Sequence, residues 1–339
     1  MMIKEAMLYE KKDDGSVQCK LCAHRCSISQ GKRGFCRVRE NKGGVLYTLN
    51  YGLVSSEAVD PIEKKPLFHF LPGSLVYSMG TIGCNFRCKH CQNWAISQID
   101  IDKSISVNIS PFEAVEKALA SGANAIAWTY NEPTIWFEYT YDCARLAKEE
   151  GLSTVYVTNG YISREAMEMI APYLDAFRVD IKAFTDDFYR KVASARLKPV
   201  LDSAKHAKEL GLHVEVVNLI IPTLNDSSEE IREMCVWIKD NLTADTPVHL
   251  TRFHPSYKMQ HIPATPLKTL ELAYKIARSE GLRYVYLGNV PATRYENTFC
   301  PKCSELLVER SVFSTRVNIL RDKNECPRCG ERIAIVLEK

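Results

Sequence analysis

Between Gly73 and Pro291 the chain alternates short β-branched and aromatic runs with amphipathic stretches, and this alternation restricts its fold more than any other feature. The runs are SLVYSM, NAIAWTY, STVYVTN, AFRVDIK, HVEVVNL, VHLTRF and YVYLGN. In SPFEAVEKALASG, Ser110 suits a helix cap and Pro111 the first helical position. DSSEEIREMCVWIKDN and TPLKTLELAYKIARSEG also open with cap residues. Strands and helices at this spacing predict parallel pairing through right-handed crossovers, in an α/β barrel or open sheet. Functional groups then collect at the carboxyl ends of the strands.

Of the 13 cysteines, all but Cys143 and Cys235 fall into three tight clusters. That spacing favours metal ligation in a reducing compartment over disulfides. Cys143 and Cys235 sit in amphipathic stretches and read as core thiols. Lys+Arg 44 against Asp+Glu 41 leaves a net charge of only +3, which argues against a nucleic-acid surface or a polybasic membrane anchor. There is no long apolar run and the opening MMIKEAMLYEKKDDG has no signal-peptide core, so a cytoplasmic protein without membrane partners is expected.

Three segments are expected: 1–72 rich in cysteine, 73–291 forming the α/β unit, and 292–339 carrying a second cysteine-rich unit. In the first, Cys19, Cys22, Cys26 and Cys36 follow C-x2-C-x3-C-x9-C. A zinc ion and an auxiliary iron–sulfur cluster both suit them, zinc being slightly preferred, and His24 could substitute for a thiol. The stretch DPIEKKPLFHFLPGS, with three prolines, reads as an extended linker over the surface. In the last segment, Cys300, Cys303, Cys326 and Cys329 form paired C-x2-C knuckles. They predict a tetrahedral structural site, with zinc preferred over a rubredoxin-like iron.

LVYSMGTIG runs into GCNFRCKHCQN through the shared Gly83, and the second stretch carries Cys84, Cys88 and Cys91 and no fourth cysteine. A four-iron cluster on three thiolates keeps one iron free of protein, as a catalytic metal requires. The alternative is a structural site completed by His90 or Cys143.

The C-x3-C-x2-C loop resembles the signature of the radical S-adenosylmethionine (radical SAM) superfamily. Longer matches resemble its pyruvate formate-lyase activating enzyme branch, in particular the radical SAM component of the AmmeMemoRadiSam system. They include CKLCAHRC, KRGFCRVRE, NYGLVSSEAVDPIEKKPLFHF, GCNFRCKHCQNW, TYNEPT, VTNGY, VDIKAF, TRFHPSY and YLGNV. The resemblance implies a partial parallel (β/α)6-type barrel flanked by small N- and C-terminal metal-binding segments. It also implies a [4Fe–4S] cluster on Cys84, Cys88 and Cys91, whose open iron is chelated by S-adenosylmethionine. Reductive cleavage then yields a 5′-deoxyadenosyl radical that abstracts hydrogen from a substrate, by analogy a polypeptide, with a glycyl residue as one target. A flavodoxin or ferredoxin would supply the low-potential electron.

By the same resemblance Asn131 and Glu132 in TYNEPT meet the methionyl amino group, although the family's glycines are absent there and an N-cap role for Glu132 competes. Thr158 and Asn159 in VTNGY match a cofactor loop in which Val157 replaces an acid. Asp180 and Lys182 share a strand face, with Lys182 the counter-charge of the S-adenosylmethionine carboxylate and an internal ion pair as the alternative. His254 matches a residue near the ribose, Arg252 is a candidate for a substrate carboxylate, and Asn289 is a weaker candidate. Two competing functions are an electron carrier or zinc-ribbon interaction protein, and methyl transfer without radicals.

Overall fold

In a computed structural model of the chain, residues 3–290, 294–311, 314–319 and 323–337 are described. All seven runs form strands, and they pair in chain order. The central sheet begins with an antiparallel edge strand, β1 (Ser56–Pro61). Seven parallel strands follow: β2 (Leu75–Gly80), β3 (Ala125–Trp128), β4 (Ser153–Thr158), β5 (Ala176–Asp180), β6 (His213–Ile220), β7 (Val248–Arg252) and β8 (Val285–Gly288). Six helices make the crossovers: α1 (Pro111–Ala120), α2 (Phe137–Glu149), α3 (Arg164–Ile170), α4 (Leu197–Glu209), α5 (Ser228–Asn241) and α6 (Leu267–Ser279). Since β1 and β8 do not pair, the sheet is a partial (β/α)6 barrel with an open seam.

Strand interiors such as Ala125–Trp128 are buried throughout, as expected for a parallel sheet covered on both faces. Ser110 caps α1 in a reciprocal box with Glu113, and Ser227 caps α5. The start of α6 differs from expectation. Its cap is Pro266, which makes no side-chain hydrogen bond. The Thr265 hydroxyl instead donates to the Ile220 carbonyl at 2.6 Å and accepts from the Phe253 amide at 3.0 Å, tying β6 to β7.

The expected linker is a second difference. Leu67, Phe68, His69 and Phe70 are buried, and they close the amino-terminal end of the barrel. Their backbone has acceptors inside the protein. The Glu215 carboxylate on β6 takes the amides of Phe68 at 3.1 Å and His69 at 2.7 Å. The expected boundary at residue 72 therefore cuts through the barrel, whose sheet reaches back to Ser56. The boundary at 291–292 lies outside the described residues. The C-terminal strands Thr298–Phe299, Leu306–Ser311 and Ser314–Val317 form a small antiparallel sheet. Its core is continuous with Phe68, Tyr284 and Tyr286 of the barrel floor.

Candidate active site

The loop after β2 turns sharply at Gly83, whose φ of +90° suits glycine. The Arg87 amide donates to Ala193 O at 2.8 Å and the Lys89 amide to Val192 O at 3.0 Å. Lys258 N donates to Lys89 O at 3.0 Å, so segments from opposite sides clamp the loop. Cys84 and Cys88 are buried and Cys91 is partly exposed, all three being free thiols. They line a cavity of about 540 Å3 that runs into the barrel. Burial raises Cys84 well above the ordinary thiol range, with Glu132 adding to the effect. Burial also pushes Cys88 up to about 12, against the pull of Lys182. Thiolates here need a cation to offset that cost, and a metal cluster supplies one.

The charged wall of the cavity comes from β5. Strand alternation turns Arg178, Asp180 and Lys182 inward together. Lys182 Nζ lies 2.9 Å from Asp180 Oδ2, while Arg178 holds the other oxygen. Burial alone would raise the Asp180 carboxyl and lower Lys182, but the ion pairs win in both. Asp180 lies below its usual range because of Arg178 and Lys182, and Lys182 lies above its own because of Asp180 and Cys88. Val157, Val217, Leu219, His249 and Thr251 complete the inner wall.

Not every expected residue faces this cavity. Glu132 is fully buried and spends both oxygens on the protein. Oε1 accepts from the Thr134 amide at 2.9 Å and the Thr158 hydroxyl at 2.7 Å, and Oε2 from the Asn159 amide at 2.8 Å. It caps the short helix Pro133–Trp136 and ties the ends of β3 and β4 together. Thr158 is likewise turned to Glu132. Asn131 does line the cavity, with Nδ2 donating to Gly83 O at 2.7 Å. Asn159 lines it too, with Nδ2 at 2.8 Å from Asn85 Oδ1 and 3.8 Å from Cys84 Sγ. His254 is exposed and is not among the residues lining the cavity. Arg252 donates from Nε to Thr265 O at 2.8 Å. Because His249 and Thr251 point inward, Arg252 falls on the opposite face of β7. Asn289 lines the cavity at the end of β8.

Of the two alternatives for a fourth ligand, His90 shares the cavity wall with the three cysteines and Cys143 does not. Cys143 is buried in α2 with Sγ 3.8 Å from Pro111 O. His90 is in the cavity wall, beside Lys182 and Asp180, and is held neutral by burial.

The floor was not foreseen. Glu215 is buried between His213 at 3.0 Å and His249 at 2.7 Å, and it accepts the amides of Phe68 and His69 as well. The sequence did hold a signal, a carboxylate inside the apolar run HVEVVNL. In the C-terminal segment the thiols of Cys300, Cys303, Cys326 and Cys329 all lie within 4.8 Å of one another. Cys300–Cys329 is 3.6 Å and Cys303–Cys326 is 3.7 Å, close to the ~3.8 Å edge of a tetrahedron with Zn–S of about 2.3 Å. This is a metal-binding geometry.

Residues 79–238 match the Radical SAM superfamily. Uncharacterized protein MJ0808 of Methanocaldococcus jannaschii is 48% identical over 336 residues, covering 99% of this chain and all of that one. The pyruvate formate-lyase-activating enzyme of Clostridium pasteurianum is 26% identical over 206 residues, covering 59% of this chain and 82% of that one. In fold, Streptococcus suis SuiB bound to S-adenosylmethionine matches with a TM-score of 0.50 at 14% identity, over 65% of this chain and 52% of that one. Family, fold and the three free thiols at the mouth of the barrel agree, and the chain belongs to the radical SAM superfamily as one of its enzymes.

Proposed function

We propose that Cys84, Cys88 and Cys91 hold a [4Fe–4S] cluster whose open iron takes S-adenosylmethionine, and that the substrate is a segment of polypeptide. The observation that carries this reading is the placement of three free thiols, two of them buried, and an inward-facing Arg178–Asp180–Lys182 group on one cavity. Bound there, the cluster supplies one low-potential electron that cleaves S-adenosylmethionine and so starts hydrogen abstraction from the substrate.

The chain's own residues bind and orient. Lys182 offers a positive charge to the carboxylate of S-adenosylmethionine, and Asp180 and Arg178 hold it in place. Asn131 and Asn159 present polar groups beside Cys84. Glu132 and Thr158 are positioning residues that fix the loop bearing Asn159. The apolar wall of Val157, Val217 and Leu219 keeps water from the reacting centre. The open seam between β1 and β8 gives a polypeptide segment a route in, in keeping with a relative named pyruvate formate-lyase-activating enzyme. A low-potential flavodoxin or ferredoxin is the proposed electron donor. The C-terminal quartet is proposed to hold a structural zinc, closed to substrate by its four thiols. Thirteen free thiols suit a reducing compartment such as the cytoplasm. No helix of the described residues is long and apolar enough to cross a membrane.

An electron carrier has no use for a cavity of about 540 Å3 beside its cluster, nor for a buried lysine in its wall. The test is anaerobic reconstitution with iron and sulfide, reduction by dithionite and an assay for 5′-deoxyadenosine from S-adenosylmethionine. The proposal expects product from the wild-type chain and none from Cys88→Ala. Turnover of S-adenosylmethionine that survives in Cys88→Ala would reject the radical reading in favour of cluster-free chemistry.

A further inference from the structure

The amino-terminal cysteines differ from the C-terminal four in a way that bears on what they hold. Cys19, Cys22, Cys26 and Cys36 line one small pocket, whose wall also includes Leu21, Ile28, Phe35 and Ile135. Yet no three of these thiols come within 4.8 Å of one another, as all four C-terminal thiols do. A single zinc draws its four sulfurs onto one centre, with Zn–S of about 2.3 Å. A cubane cluster sets each thiolate on a different iron and so keeps the sulfurs farther apart. The two quartets of this chain fall on opposite sides of that division.

Arg39 is the second, independent observation. Its side chain is 1% exposed and forms part of the same pocket wall. Nη2 is spent on both Glu138 oxygens at 2.6 Å, but Nε and Nη1 have no partner. Buried guanidinium N–H groups without acceptors are costly. The sulfide and thiolate sulfurs of a cluster would accept them, and a buried cation in the wall of the same pocket suits an anionic cluster. The His24 imidazole is not free to replace a thiol through Nε2, which lies 2.7 Å from Asn85 O.

From this geometry we infer that Cys19, Cys22, Cys26 and Cys36 bind an auxiliary [4Fe–4S] cluster, hydrogen-bonded by Arg39, and not zinc. The cluster sits against the catalytic loop. A Cβ on Gly83, the neighbour of Cys84, would meet the Cys36 carbonyl at 2.9 Å. Arg87 spans the gap, donating to Cys84 O at 2.8 Å and to Phe35 O. Two reduced clusters so placed interact magnetically.

The inference is tested separately from the radical chemistry in a full-length Cys84→Ala/Cys88→Ala/Cys91→Ala chain. After anaerobic reconstitution with iron and sulfide, iron, acid-labile sulfide and zinc are counted per chain. About four irons and about four sulfides are expected, lost on adding Cys26→Ala. If the triple variant does not fold, the wild-type chain decides. About eight irons and a spin-coupled electron paramagnetic resonance signal after dithionite support the inference. Sulfide absent from the triple variant, or only about four irons in the wild-type chain with zinc at the amino-terminal quartet, overturns it.

Discussion

Replacing Glu132 by Gln separates a positioning role from direct contact with S-adenosylmethionine. The carboxylate accepts three hydrogen bonds inside the protein, from Thr134 N, Thr158 Oγ1 and Asn159 N. Gln keeps the shape but turns one acceptor into a donor. If its oxygen stays toward Thr134 and Thr158, its NH2 faces the Asn159 amide. Flipped, the NH2 faces the Thr134 amide. Either way a buried N–H loses its acceptor, at a cost of about 1–3 kcal/mol. Removing the buried charge returns part of this, since burial already holds the Glu132 carboxyl above its usual range. A net loss of about 1–2 kcal/mol follows, seen as a drop of a few degrees in Tm. Affinity for S-adenosylmethionine should fall by less than about tenfold, because the Asn159 loop loosens without losing a ligand. Thermal unfolding and equilibrium binding on the anaerobic, cluster-loaded protein give both numbers. An unchanged Tm with a hundredfold loss of affinity would refute the positioning role and make Glu132 a direct ligand.

Lys182→Met leaves Asp180 with Arg178 as its partner, so the fold survives while binding of S-adenosylmethionine weakens by about 1.5–3 kcal/mol, measurable by calorimetry on the oxidised, cluster-loaded protein, which does not turn it over. His254→Ala, at an exposed position outside the cavity wall, should change that affinity by less than about twofold in the same assay. Acid stability should carry the mark of His69. Burial pushes its imidazole down to about 3, against an unfolded value near 6.5, so the folded state keeps it neutral. Its contribution is complete above about pH 6.5 and is lost progressively as pH falls toward 3, so Tm should fall over that range. His69→Gln should flatten the slope, and an unaltered slope would assign the acid sensitivity to another group.

The barrel strands were legible because parallel strands covered on both faces are written as apolar runs, and that Cys84, Cys88 and Cys91 fall on one cavity followed from their close spacing in the loop after a strand. What failed concerned direction and long-range partners. Arg252 was expected at the site, but the inward turn of His249 and Thr251 puts it on the outer face of β7, and His254 lies beyond the end of that strand. That choice is set by strand register, which neighbouring residues do not reveal. Glu132 was found, yet its three donors come partly from another strand end, so its orientation was not readable locally. The stretch around Phe68 and His69 resembled a linker because the Glu215 carboxylate that takes their two amides lies far away in the chain. The contrast between the two cysteine quartets is a matter of sulfur separation, which sequence spacing does not encode.

The most direct test of the central claim is electron–nuclear double resonance on the dithionite-reduced Cys22→Ala/Cys26→Ala chain, which keeps the Cys84, Cys88 and Cys91 site, with 15N- and 17O-labelled S-adenosylmethionine. Coordination through the open iron predicts hyperfine coupling to both the amino nitrogen and a carboxylate oxygen. A cluster that is present and reducible, yet shows no coupling to either label and an unchanged spectrum on adding S-adenosylmethionine, would contradict the account.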